Sequence, residues 1–270
     1  MEQFLSLFSY SFFVKAFLVG GLVAICCAML GVVLVLKRYS MIGDGLSHVA
    51  FGALAIGYAL QITPLPFTIA VVVIAAFFLL QLNESSKVKA DAAIAIISSS
   101  ALAIGVITTS LSSGINNDLY QSLFGTILAI SDQDVWISVI LCIVILIVFF
   151  LFYHFLFLIT IDETFAQAIG VPVQRYKVTI SILTALTIVL GMRVMGAMLI
   201  SSLIILPALS AMKLVHHFKE VVIVSVIISI ICFIIGMVIS FFYSLPTGAT
   251  IVITNTTVFV LASIYAYFKK

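Results

Sequence analysis

Long apolar runs constrain this chain more than any other feature of its sequence. A bilayer core about 30 Å thick needs roughly 20 apolar residues in a helix, and nine runs approach that length. These runs cover 12–36, 42–60, 65–82, 92–111, 134–158, 176–193, 196–212, 221–243 and 250–267. The chain is 64% hydrophobic and only 8% charged, whereas a soluble domain is about 25% charged. The sequence therefore predicts an all-α, polytopic transmembrane bundle of about eight or nine spans.

The breaks between these runs are too short to hold a folded soluble domain. We therefore expect residues 1–270 to form a single transmembrane domain surrounded by the lipid bilayer. A net charge of +2 and the absence of a basic run give no surface that tracks a phosphate backbone, so nucleic acid is not an expected partner. The four cysteines all lie within apolar runs, which predicts that they pack as small hydrophobes.

The basic residues predict how the chain is oriented. Lys and Arg are enriched in the cytoplasmic loops of membrane proteins, and one set of loops contains most of them. That set comprises Lys37, Arg38, Lys87, Lys89, Arg175, Lys177, Lys213, Lys219, Lys269 and Lys270. Placing it inside predicts an outer N-terminus and a cytoplasmic C-terminus. Residues 114–131 would then lie outside or re-enter the membrane within protein.

Two ionisable residues lie inside the second apolar run. Asp44 and His48 are four positions apart, which places both side chains on one helical face. If the helix continues from Arg38, His48 lies about 15 Å along it, near the bilayer midplane. A carboxylate and an imidazole form a plausible half-site for zinc, manganese or iron, completed by a symmetric second copy, other groups or water. A structural Asp–His pair or a proton relay remains an alternative.

A second informative stretch lies on the predicted cytoplasmic side. Asp162 is placed to cap a helix, with Glu163 in its first turn, where the helix dipole favours a carboxylate. Gly170 can take the left-handed conformation that ends a helix. Phe165 and Ile169 share one face. The pattern predicts a short capped helix that either rests on lipid headgroups or docks a soluble partner.

Several motifs that would indicate other functions are missing. The sequence contains no GxxxxGK[ST] phosphate-binding loop, so the chain does not bind ATP in that manner. It has no HExxH zinc-protease motif and no potassium-filter TVGYG sequence. No Ser or Cys is placed near the Asp–His pair as a nucleophile with an orienting third group, which argues against an intramembrane enzyme.

Motifs along the whole chain resemble one family of membrane proteins. Residues 37–48, Lys-Arg-Tyr-Ser-Met-Ile-Gly-Asp-Gly-Leu-Ser-His, are similar to the hallmark of the permease subunits of zinc/manganese ABC importers. Further similar segments follow in the family's order: a Leu-Phe-Gly segment at 118–125, a coupling-helix pattern at 162–173, a Gly-x-x-Leu-x-Ser helix at 195–208 and a Leu-Pro-x-Gly-Ala turn at 245–249.

The resemblance implies a vitamin B12-type (type II) ABC importer fold in a bacterial inner membrane. It implies a homodimer, two cytoplasmic ATPase subunits that use ATP, and an extracellular or periplasmic metal-binding protein. The chain itself would be a transport subunit rather than an enzyme, with transported Zn²⁺ or Mn²⁺ and no permanently bound cofactor. By position, Asp44 and His48 become metal-pathway residues. A coupling helix at about 162–170 would dock the ATPase through Asp162, Glu163, Phe165, Ala166, Ile169 and Gly170.

The residues after His48 bear on the choice of metal. Many manganese-type members continue with Ala-Val-Leu-Pro-Gly, whereas residues 49–53 are Val-Ala-Phe-Gly-Ala. Because this proline is missing, we expect the transported ion to be zinc rather than manganese. The alternative function is a proton-coupled secondary metal transporter that works without an ATPase, in which Asp44 and His48 form the proton relay.

Overall fold

The computed structural model describes residues 11–85, 90–111 and 132–269, and within these ranges every regular element is an α-helix. The helices are numbered here in chain order. They are α1 (Ser11–Leu36), α2 (Ser40–Ala59), α3 (Pro64–Ser85), α4 (Ala90–Leu111), α5 (Asp132–Ile161), α6 (Glu163–Ala168), α7 (Val173–Met195), α8 (Ala197–Leu214), α9 (Phe218–Tyr243) and α10 (Thr247–Lys269). The predicted all-α, multi-pass architecture is confirmed.

The number of membrane spans differs from the prediction. Each apolar run does form a helix, but within the described ranges only six helices are long and apolar enough to cross a bilayer: α1, α4, α5, α7, α9 and α10. The polar side chains of Asp44 and His48 lower the hydropathy of α2, and the apolar parts of α3 and α8 are short. A count of eight or nine spans is therefore not supported. The predicted outer or re-entrant segment 114–131 lies outside the described residues.

Helix α1 lies at the centre of the bundle. It packs against α5, α7, α8 and α9, and Val19, Val23 and Cys27 are completely buried along it. Serines on α9 reach across to the α1 backbone: Ser225 Oγ donates to Ala28 O at 3.3 Å and Ser229 Oγ donates to Ala24 O at 3.0 Å. Interhelical hydrogen bonds of this kind hold helices together where lipid offers no hydrophobic driving force.

Two glycines let neighbouring helices approach to backbone contact. A Cβ at Gly31 of α1 would lie 2.0 Å from the carbonyl oxygen of Ile204 on α8. A Cβ at Gly52 of α2 would lie 2.6 Å from the carbonyl oxygen of Ala101 on α4. Small residues at such crossings allow the close backbone packing typical of membrane helices. These two contacts bring α8 against α1 and α4 against α2.

A three-residue connection joins α1 to α2. Arg38 adopts a left-handed φ of 62° there, and Tyr39 N donates to Leu34 O at 2.7 Å. The chain therefore changes direction after α1, and α2 packs against α3, α4, α7 and α8. All four cysteines are free and buried, as predicted.

Candidate metal site and coupling helix

Asp44 and His48 lie side by side on α2, as their spacing predicts. His48 Nε2 is 3.8 Å from Asp44 Oδ2, so the two groups are close but do not form a hydrogen bond. The Asp44 side chain is 43% exposed and that of His48 is 22% exposed. His48 Nδ1 is buried and has no hydrogen-bond partner. The two side chains therefore present an oxygen and a nitrogen toward the same partly open space.

Helix α8 supplies a third polar group. Ser201 Oγ donates a hydrogen bond of 3.1 Å to Asp44 Oδ1. This bond leaves Oδ2, the oxygen nearer to His48, available for a cation. Sequence reasoning placed Ser201 within a motif but assigned it no role, since no local pattern links two residues 157 positions apart. The contact makes Ser201 a positioning residue for the Asp44 carboxylate.

Helix α4 packs closely against α2 at the residue that follows Asp44. A Cβ at Gly45 would meet Ile94 Cγ2 at 2.8 Å and Ser98 Oγ at 3.1 Å. Glycine at this position lets α4 lie directly against α2, next to Asp44 in the sequence.

Asp44 and His48 supply two candidate ligands for a metal ion. Among the described residues, no cluster of three or more His, Cys, Asp or Glu side chains could hold a metal ion. Zinc commonly takes four ligands, and manganese commonly takes six. Two groups are fewer than either ion commonly takes.

The predicted short helix that follows α5 in the chain is confirmed. The Asp162 carboxylate caps α6 by accepting hydrogen bonds from Phe165 N at 2.9 Å and from Thr164 Oγ1 at 2.6 Å. These bonds hold the pKa of Asp162 below its usual range. Gly170 takes the predicted left-handed conformation with a φ of 85°. The helix proper spans Glu163–Ala168, close to the expected 162–170.

The predicted docking residues divide between two faces of α6. Phe165 is 53% exposed and Ile169 is 56% exposed. Ala166 is fully buried and packs with Ile159 and Val173. The helix therefore rests on the ends of α5 and α7 through Ala166, and it presents an aromatic and an aliphatic side chain outward.

Glu163 points inward to two lysines. Lys37 Nζ, just after α1, lies 2.7 Å from Glu163 Oε2, and Lys177 Nζ on α7 pairs with Oε1. Burial raises the pKa of the Glu163 carboxyl, but the hydrogen bonds from Lys177 and Lys37 outweigh burial and hold that pKa below its usual range. The carboxylate is therefore ionised at neutral pH and engaged within the chain.

Comparison with known proteins places this arrangement in a family. The pattern of the ABC 3 transport family matches residues 9–266. The chain belongs to the ABC 3 transport family. This match covers nearly the whole chain and confirms the resemblance carried by the motifs. This chain is therefore a multi-pass membrane protein that forms part of a transport system, and its relatives are ABC permease subunits.

Relatives of this chain are named for the transport of metals. It is 30% identical over 260 residues to the manganese transport system membrane protein MntC of Halalkalibacterium halodurans, covering 96% of this chain and 89% of the relative. It is 33% identical over 247 residues to the high-affinity zinc uptake system membrane protein ZnuB of Haemophilus influenzae, covering 92% and 95%. The solved structure of PsaBC from Streptococcus pneumoniae in complex with Fab matches with a TM-score of 0.88 and 28% identity, covering 100% of this chain and 99% of that chain.

Proposed function

We propose that this chain is the membrane-spanning permease subunit of an ATP-driven importer of divalent metal ions, with zinc favoured over manganese. The observation that carries the proposal is the Asp44–His48 pair, 3.8 Å apart and partly open on α2, with Ser201 orienting the carboxylate. Ionisable groups inside membrane proteins are costly and mark ion pathways. Family membership supplies the transport context.

The incomplete ligand set favours a homodimer. Two copies related by a two-fold axis would bring a second Asp44 and a second His48 to the same ion. In that arrangement the pathway runs along the dimer axis, in a vitamin B12-type (type II) importer fold. The partial exposure of both side chains in a single protomer is consistent with a partner across this space. The ion then exchanges part of its hydration shell for these groups and leaves again because the site is open.

The energy comes from separate cytoplasmic ATPase subunits that dock on α6. Phe165 in α6 and Ile169 at its C-terminal end are both exposed apolar side chains, and aromatic side chains are frequent anchors at protein interfaces. The N-terminus of the chain lies outside and the C-terminus in the cytoplasm of a bacterial inner membrane. An extracellular or periplasmic metal-binding protein delivers the ion to the outer loops. ATP binding and hydrolysis move α6, and the long helices tilt to open the inner side.

The Asp44–His48 pair fits both ions, because imidazole suits zinc and carboxylate suits manganese. The choice of zinc rests on the absence of proline in residues 49–53. One relative is named for manganese transport and another for zinc uptake, so the family includes transport proteins for both ions.

Uptake into proteoliposomes tests the proposal. The chain is reconstituted with its ATPase and capture protein, and entry of radioactive zinc and manganese is measured with ATP, without ATP, and under a pH gradient alone. ATP-dependent uptake with faster zinc entry is the expected result. Uptake by the chain alone under a pH gradient would instead establish the proton-coupled alternative. Faster manganese entry would retain the importer and reverse the choice of ion.

A further inference from the structure

One carboxylate of α6 connects three separate parts of the chain. The two oxygens of Glu163 pair with Lys37 and Lys177, which lie 126 positions before it and 14 positions after it. The lysine side chains are only 10% and 9% exposed, and that of Glu163 is 30% exposed. Solvent screens a part-buried pair less than it screens a fully exposed one.

The first lysine lies at the junction that leads to the metal pair. Lys37 directly follows α1, and α2 begins three residues later at Ser40. The intervening turn is closed by the hydrogen bond from Tyr39 N to Leu34 O. Asp44 is in the second turn of α2. A movement at Lys37 therefore passes into α2 through a short, hydrogen-bonded connection.

The coupling helix is short and packs on the ends of two longer helices. It spans six residues, and isolated helices shorter than about 12 residues are marginal. Ala166 packs on Ile159 and Val173, near the ends of α5 and α7, so this packing does not reach α1. The Glu163–Lys37 pair joins α6 to the junction between α1 and α2.

We propose that Glu163 is a positioning residue that anchors the coupling helix to the α1–α2 junction, so that displacement of α6 is transmitted to the helix carrying Asp44. The inference rests on the proposed function and deepens it: Phe165 and Ile169 contact the ATPase, whereas Glu163 faces inward and carries the movement. Both lysines are largely shielded from solvent and Glu163 is part-buried, so solvent screens the two pairs less than it would a surface pair. The anchor therefore persists while α6 moves, and α1 and α2 move with it.

The anchor is tested first on the isolated chain. Spin labels are attached to cysteines introduced at the exposed positions Met41 and Ala168, since the four native cysteines are buried. We expect a narrow distance distribution in the wild type and a broad one in Glu163→Gln and Lys37→Gln. Lys37→Gln keeps the Glu163–Lys177 pair and removes only the link to the junction. Equal widths in all three proteins would overturn the anchor.

Transmission is tested in the complex with the ATPase. We expect Lys37→Gln and Glu163→Gln to retain the ATPase and its hydrolysis while the metal transported per ATP falls at least tenfold. Glu220→Gln, an exposed glutamate in the first turn of α9, is the matched control and should transport normally. Normal transport by Lys37→Gln, or loss of ATPase binding as its main defect, would overturn transmission. A wild-type complex that hydrolyses ATP without moving metal would overturn the proposed function, and the spin-label comparison then decides the anchor alone.

Discussion

The crossing of α1 and α8 at Gly31 links the stability of the bundle to the geometry of the metal pair. A Cβ at this position would lie 2.0 Å from the carbonyl oxygen of Ile204, and real Cβ atoms essentially never come closer than 3.0 Å. The obstacle is backbone, which cannot rotate aside as a side chain can. Gly31→Ala must therefore separate α1 and α8 by about 1 Å, and overpacking of this kind costs about 1–3 kcal/mol.

The same displacement reaches Asp44. Ser201 lies one turn before Ile204 on α8, and its hydroxyl donates to Asp44 Oδ1 at 3.1 Å. Opening that distance to about 4 Å removes the hydrogen bond, whose net value is about 1 kcal/mol. Gly31→Ala should therefore lower both thermal stability and metal transport, although residue 31 does not touch the ion.

The assay compares Gly31→Ala with Gly21→Ala on the same helix. A Cβ at Gly21 would meet only Phe233 Cε1, at 4.0 Å, so this variant controls for the change in helix propensity. Thermal unfolding in detergent is monitored with size-exclusion chromatography. ATP-dependent zinc uptake is measured at equal amounts of folded protein. If Gly31→Ala matches Gly21→Ala in both measurements, the close crossing does not constrain the bundle as argued.

Three further results are expected. Ser201→Ala leaves the Asp44 carboxylate unheld and should slow zinc uptake about fivefold, given about 1 kcal/mol per hydrogen bond, whereas Ser201→Thr keeps the hydroxyl and should be close to wild type. Phe165→Ala and Ile169→Ala should each weaken binding of the ATPase at least fivefold, as for an interface anchor, with unchanged thermal stability; unchanged ATPase binding would place the docking surface elsewhere. The pKa of Glu163 is lower in the folded protein than in the unfolded chain, where it is about 4.3. The Glu163 carboxylate therefore helps to hold α6 above that pH, and this contribution is lost as the pH falls through the lower pKa of the folded protein. A broader distribution of label distances between α6 and α2 at low pH would detect the loss.

Local sequence signals predicted the parts of the site that depend on a single helix. The spacing of Asp44 and His48 was sufficient to place them on one face, because helical periodicity is a local property. The bounds of α6 followed from Asp162 and Gly170, whose capping roles depend on neighbouring backbone groups. These features are confirmed by the structure.

Contacts between distant segments could not be predicted in the same way. The bond from Ser201 to Asp44 and the pairing of Glu163 with Lys37 join residues more than 120 positions apart. Nothing near Glu163 in the sequence indicates that it faces inward, and its position in a first turn is equally suited to an exposed carboxylate. The predicted number of membrane spans was wrong for a related reason. Each apolar run was counted as one span, although the polar side chains of Asp44 and His48 lower the hydropathy of α2.

The central claim is that Asp44 and His48 handle the transported ion. The most direct measurement is ATP-dependent zinc uptake by Asp44→Ala and His48→Ala in proteoliposomes with equal ATPase content. Glu220→Ala and His216→Ala, which change exposed residues of the same types, are the matched controls. The account predicts at least a tenfold loss of uptake for each site variant, with ATPase binding retained and both controls near wild type. Wild-type uptake by both site variants would contradict it and leave Asp44 and His48 with a structural role.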